Sequence, residues 1–189
     1  QSAIDQSQIE SLLRGAIQCE YKNAKPIDFY DDIPNKYIVF SNFYRPEHLL
    51  IDGQEWPTTE HYFHAMKFLK DVDDIHHKEY REIIRQSNTP YKSKQLGNQR
   101  ATGYQVSQPL NKTDKRNLGD LIKKYKTNVS LIDKWDSIRD NVMYIAVKEK
   151  FTQNKKLKDL LLSTKGFVLR EASTRDGYWG TDKDGSGKN

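Results

Sequence analysis

Glu60, His64 and Lys67, in the stretch TTEHYFHAMKF (residues 58–68), are spaced i, i+4 and i+7. On a helix turning about 100° per residue, that spacing sets a carboxylate, an imidazole and an amine within a stripe roughly 60° wide. Tyr62, Ala65, Met66 and Leu69 share the opposite side, and Phe63 and Phe68 flank the charged stripe. Two kinds of behaviour follow from these residue types. On a solvated face they would make weak surface pairs. In a cleft dried by the flanking phenylalanines, the carboxylate could act as a general base on water or stabilise a cationic sugar centre. Spacing alone leaves both open.

A second constellation closes the chain. EASTRDGYWGTDKDGSGKN gathers Glu171, Asp176, Trp179 and Gly180, with Gly185 and Gly187 beyond them. Glycines let backbone N–H groups approach phosphate oxygens, and an indole offers a face for a base. A plain turn-rich tail has the same composition. Other chemistries are poorly supplied. His61 and His64 are three apart and His76 and His77 adjacent, but HExxH is absent and the one cysteine, Cys19, leaves a metal site short of ligands. Cys19 has no histidine near it in sequence, which makes it a weak nucleophile candidate. Neither a Walker loop nor GxGxxG occurs.

The elements that must position these residues are legible in outline. SQIESLLRGAIQ (Ser7–Gln18) opens with the capping box Ser7 and Glu10, and lines Ile9, Leu12, Leu13, Ala16 and Ile17 on one stripe. This predicts an N-terminal amphipathic helix as an extension over residues 1–24, ahead of a domain over 25–189. YIVFSNFY (Tyr37–Tyr44) reads as a strand ending in a turn, and LLIDGQEW (Leu49–Trp56) as a hairpin around Asp52 and Gly53. Pro57 and Thr58 or Thr59 start the helix that carries Glu60; DVDD interrupts it before a second helix near His76–Gln86. A short helix stops at Gly97, and the following aperiodic stretch holds a loop and a short helix. Trp135, Ile138, Val142, Ile145 and Ala146 follow helical spacing, KLKDLLLST repeats that pattern to Thr164, and GFVLREAS is a strand. The expected class is α+β, a mostly helical single domain around a small β-sheet.

Composition fits that class. With 189 residues the chain suits one domain. Mean hydropathy is low at −0.90, but 7 Phe, 3 Trp and 11 Tyr supply core volume. A lone cysteine and the lack of a long apolar run predict a reducing, cytoplasmic or nuclear setting with no membrane partner. Net charge is +5, and between Asn111 and Lys158 thirteen Lys or Arg face six Asp or Glu. That excess is either a solvated helical surface or a flank that attracts phosphate-bearing ligands.

Taken together, IDFY, FSNFY, IDGQEWPTTEHYFHAMKF, KWDSIRDNVMYIAVKEKF, LLLST and REASTRDGYWGTDKDGSGKN stand in an order that resembles the NADAR (YbiA-like) family. The resemblance runs from about Ile27 to Asn189 and is loosest between Tyr91 and Leu131. It implies an α+β N-glycosidase of ribosyl compounds needing no cofactor and no metal. It further implies that Glu60 is the catalytic carboxylate and Lys67 a catalytic lysine beside the ribose. Trp135 and Trp179 would line the base and sugar pocket, and Asn42, Asp176, Gly180, Gly185 and Gly187 would hold the ligand. His64 departs from the family pattern, where glutamine is expected.

Two substrates go with the family. The expectation taken first is an ADP-ribose glycohydrolase acting on guanine adducts, with ADP-ribosylated DNA or RNA as partner; the alternative acts on phosphorylated ribosylamino-pyrimidines of riboflavin synthesis. A non-catalytic reader of ADP-ribose or NAD-like ligands is a third possibility, and a basic nucleic-acid module without chemistry a fourth.

Overall fold

A computed structural model describes residues 25–30, 34–71, 73–99 and 111–188. The expected 1–24 extension, with its helix and Cys19, lies outside the described residues, as does the aperiodic stretch 101–110. In chain order the elements are β1 (Pro26–Phe29), a 3-10 helix (Lys36–Phe40), β2 (Leu50–Ile51), β3 (Gln54–Glu55), α1 (Thr59–Met66), α2 (Ile75–Arg85), α3 (Pro90–Gly97), α4 (Lys112–Lys126), α5 (Trp135–Gln153), α6 (Lys155–Leu162) and β4 (Val168–Glu171). The class is α+β, as the sequence predicts. The expected small sheet is two separate two-stranded ladders among the described residues, β1–β4 and β2–β3.

The chain divides into two compact units, residues 1–30 with 160–189 and residues 31–159. In the smaller one, β1 and β4 run parallel, with Pro26 opposite Val168 and Phe29 opposite Glu171. Asp28 faces Arg170 across the ladder, and Nη2 donates to Oδ2 at 2.8 Å.

In the larger unit α1 is the central element, packed against α2, α3 and α5. Every residue from Thr59 to Met66 is buried. A helix reached from several sides has no solvated face, and this removes the surface-pair reading of Glu60, His64 and Lys67. Its start is fixed locally: the Thr58 side chain caps it by accepting from the His61 N–H. The hairpin before it turns through Asp52 and Gly53, both at positive φ (52° and 74°), as the tight two-residue hairpin turn requires. α3 is capped by the Thr89 side chain, with Pro90 in its first turn. Leu49, Ile51, Tyr62, Phe68, Tyr80, Ile84 and Leu96 belong to the core they enclose.

Two sequence expectations are corrected here. Tyr37–Tyr44 does not continue as a strand. Asn35 Oδ1 accepts from the Tyr37 N–H at 2.8 Å, the Ser41 N–H reaches back to Ile38 O, and Phe40 is buried with its ring 5.7 Å from Phe151. The local cap and one aromatic anchor outweigh the β-propensity of the sequence. α4 runs 15 residues, longer than the short helix expected, because Leu118, Ile122 and Tyr125 form a buried stripe beneath its lysines.

Not all the basic middle segment faces water. Lys150 is fully buried; its Nζ donates to Ser41 O at 2.8 Å and lies 5.5 Å from the Tyr44 ring centroid. With Asn154, whose side chain bonds His48 on both N–H and C=O, it ties residues 41–48 to α5.

Leu96 is wholly buried and its carbonyl accepts from Tyr80 Oη at 2.8 Å. Leu96→Ala is expected to lower unfolding free energy by about 2–5 kcal/mol, measured by urea denaturation, through lost contacts and the cavity left behind.

Candidate functional site

The charged stripe of α1 is an internal cluster. Glu60 is buried, and its Oε1 lies 2.9 Å from His64 Nε2 and 4.0 Å from Lys94 Nζ on α3. Burial works against the Glu60 carboxylate. The charge of His64 once its ring is protonated in acid, its hydrogen bond, and the charges of Lys94 and Lys67 more than offset this and hold the carboxyl below its usual range. His64 is also held below its ordinary value, burial being the larger cause against the upward pull of Glu60. The pair at neutral pH is therefore a carboxylate beside a neutral imidazole.

Lys67 follows the last turn of α1. Its Nζ donates to Asn98 Oδ1 at 2.8 Å and lies 5.5 Å from the Phe63 centroid and 5.8 Å from that of Trp135. Burial lowers its pKa to about 8; Glu60 opposes the shift, and Lys94 and Arg139 add to it. The Lys67 carbonyl accepts from Ile132 N–H at 2.7 Å. That bond pins the loop leading into α5 against the end of α1. A cleft of about 300 Å³ opens there, lined by Lys67, Gly97, Asn98, Gln99, Leu131 and Trp135. Glu60 stands one step from it: His64, bonded to Glu60, abuts Gly97.

A dry carboxylate two turns from a depressed amine on one helix face, next to a cleft with an indole wall, suits reaction at a carbon that becomes cationic. A family model described as NADAR domain matches residues 28–189. The chain belongs to the NADAR family. N-glycosidase YbiA of Escherichia coli (strain K12) is 34% identical over 163 residues, covering 86% of this chain and 79% of its own. The riboflavin biosynthesis protein PYRR, chloroplastic, of Zea mays is 34% identical over 156 residues, 80% of this chain and 21% of the maize protein. An NMR structure of E. coli YbiA matches with a TM-score of 0.61 and 33% identity, over 88% of this chain and 77% of that one. With N-glycosidases matched over most of both chains, this NADAR member is a hydrolase of N-glycosyl compounds.

Of the residues assigned by family resemblance, the larger unit brings Glu60, Lys67 and Trp135 into one neighbourhood and docks Asn42 at the start of α1. The Thr59 hydroxyl lies 2.9 Å from Asn42 Oδ1, and Glu60 N–H donates to Asn42 O at 3.2 Å. Asn42 therefore supports the helix turn that carries Glu60. Asp176, Trp179, Gly180, Gly185 and Gly187 belong to the smaller unit. There Asp176 Oδ1 accepts from the N–H groups of Tyr178 (3.0 Å) and Trp179 (2.9 Å), shaping the turn that presents the indole. A Cβ on Gly187 would lie 2.0 Å from Gly180 O, so two strands of this loop touch through glycine. Gly185 sits at φ +77°.

Sequence reasoning passed over Lys94, Gly97 as a packing residue, Asn98, Gln99 and Leu131. Their partners lie on another element, and short-range spacing carries no signal for that. His61, a conceivable metal ligand from sequence, is engaged at both ring nitrogens: Nδ1 lies 2.8 Å from Thr58 Oγ1 and Nε2 3.0 Å from Ser87 O.

Proposed function

We propose that this NADAR enzyme cleaves the C1′–N bond joining a phosphorylated ribose to the exocyclic amine of a pyrimidine intermediate of riboflavin synthesis. The observation that carries the reading is the buried Glu60 carboxylate on the same helix face as the depressed Lys67 amine. A riboflavin biosynthesis protein among the relatives and a cleft at the lower end of small-molecule sites support the smaller substrate. This reverses the order taken from the sequence, where ADP-ribosyl guanine came first.

The chemistry balances with residues of this chain. The nitrogen lone pair opens the ribose to a C1′=N iminium while O4′ takes a proton from water. The Glu60 carboxylate stabilises the positive charge at C1′. The neutral Lys67 amine adds to C1′, the surplus proton on its nitrogen passes to the pyrimidine nitrogen, which leaves as the free amine, and a protonated imine then joins Lys67 to the sugar. Water, deprotonated by Glu60, hydrolyses that imine, returning Lys67 and releasing ribose 5-phosphate. Trp135 offers a face to the base, and Asn98 orients Nζ.

The ADP-ribosyl-guanine reading is the second, favoured by one observation: Lys112, Lys115, Arg116, Lys123, Lys124 and Lys126 of α4 are all exposed. Incubation with the ribosylamino-pyrimidine phosphate is expected to release ribose 5-phosphate, measured by mass spectrometry; absence of release removes the first reading. If ADP-ribosylated guanine DNA is turned over instead, with a KM that rises steeply with salt, the second replaces it. Binding of either without turnover would mark a reader.

A further inference from the structure

His64 Nε2 is 2.9 Å from Glu60 Oε1, and the other ring nitrogen is equally defined. Nδ1 is buried, with no hydrogen-bond partner among the described residues. It rests against Gly97 so closely that a Cβ there would lie 2.2 Å from Nδ1 and 2.5 Å from the ring carbon Cγ. Gly97 is not at positive φ, so its backbone does not demand glycine; the ring does. A proton on Nδ1 would be sealed in without an acceptor, which is costly inside a protein. A proton on Nε2 has a carboxylate to meet.

We propose that His64 is a positioning residue for Glu60: a neutral imidazole, locked by Gly97 with its proton on Nε2, that donates to Oε1 and holds the carboxylate in one rotamer. It rests on the reading of Glu60 as the catalytic carboxylate. His64 does not relay protons, because its second nitrogen has no outlet. The charged groups around the pair are Lys94 from α3 and Lys67 beyond the end of α1; both oppose a second proton on the ring. Ser93 of α3 closes the contact from the same side, its Oγ 3.4 Å from Glu60 O.

Gln and Asn separate this role from mere filling of space. The amide nitrogen of Gln reaches where Nε2 stands, whereas that of Asn reaches only where Nδ1 stands, against Gly97. With the ribosylamino-pyrimidine phosphate as probe, or the ADP-ribosylated DNA if that is the substrate turned over, His64→Ala is expected to lower kcat at least about tenfold with KM within about threefold. His64→Gln recovers most of that loss and His64→Asn does not.

Gly97→Ala is expected to lower kcat as His64→Ala does when His64 is present, and to lower it several-fold less in the His64→Ala background, a coupling that a double-mutant cycle reads directly. Ala is the better helix former, so a loss in Gly97→Ala does not come from helix propensity. Nitrogen NMR of the wild-type protein reads the tautomer without any variant, and protonation on Nε2 alone is the expected pattern at neutral pH.

Equal activity of His64→Asn and His64→Gln, an unchanged kcat in Gly97→Ala, or a proton on Nδ1 would each overturn the inference. An active Glu60→Gln would instead sink the reading beneath it, and the tautomer result would then stand only as a structural fact.

Discussion

Replacing Glu60 by Gln lowers the rate of glycosidic hydrolysis by about 10²–10⁴-fold while leaving ligand affinity within about threefold. The amide keeps the shape of the side chain and can still accept from His64 Nε2, now 2.9 Å from Oε1. What it loses is the negative charge that faces the developing cation and the basicity that activates water. Rapid-quench kinetics with a parallel calorimetric titration separates the two effects. The sign with pH also follows. Glu60 is held below the usual carboxylate range in the folded protein, so its charge contributes stability that is present above that range and lost as pH falls through it. The Gln variant is expected to show a flatter loss of stability in acid. Were kcat to survive Glu60→Gln, no carboxylate at this position could be central to the reaction.

Lys67→Met and Lys67→Arg are both expected to lower kcat by about 10²–10³-fold. Arginine keeps the positive charge but offers no nucleophilic amine at accessible pH. Its failure would assign the role to the free base, and its success would assign the role to charge. In the wild type Lys67 is held at about 8, and the reactive form is the unprotonated one. The rate should therefore climb as pH rises toward 8 and level off above it. Borohydride added during turnover should trap ribose on Lys67, seen as a mass increase on the peptide that contains it. The stability sign is separate. Between about 8 and the ordinary lysine value of 10.5 the unfolded chain binds the extra proton, so stability rises with pH across that window. Lys67→Met should abolish this slope.

What the sequence disclosed and what it withheld divide along physical lines. Local rules carried the hairpin at Asp52 and Gly53, the Thr58 cap and the stop near Gly97, because each depends on residues within one turn of chain. The period of 3.6 put Glu60, His64 and Lys67 on one stripe, and the structure keeps them there. It could not say whether that stripe met water, since the answer lies in α3 and α5, distant in sequence. For the same reason Lys150 read as part of a basic surface when it is buried against Ser41. Gly97 read as the stop of a helix, and α3 does end there, but the left-handed residue beyond the end is Gln99 at φ 49°; that Gly97 makes room for the His64 ring is a fact about two helices and has no signature in either. Tyr37–Phe40 shows the opposite failure, a strong strand composition overruled by the Asn35 cap and the burial of Phe40.

A crystal structure of Glu60→Gln soaked with the ribosylamino-pyrimidine phosphate or, if that is the substrate turned over, an ADP-ribosylated guanine nucleotide tests the central claim most directly. The expected result puts the anomeric carbon within about 4 Å of the residue 60 side chain and of Lys67 Nζ, with the base against the Trp135 indole. A pentose bound elsewhere, with residue 60 still enclosed between His64 and α3 and out of reach of C1′, would contradict it.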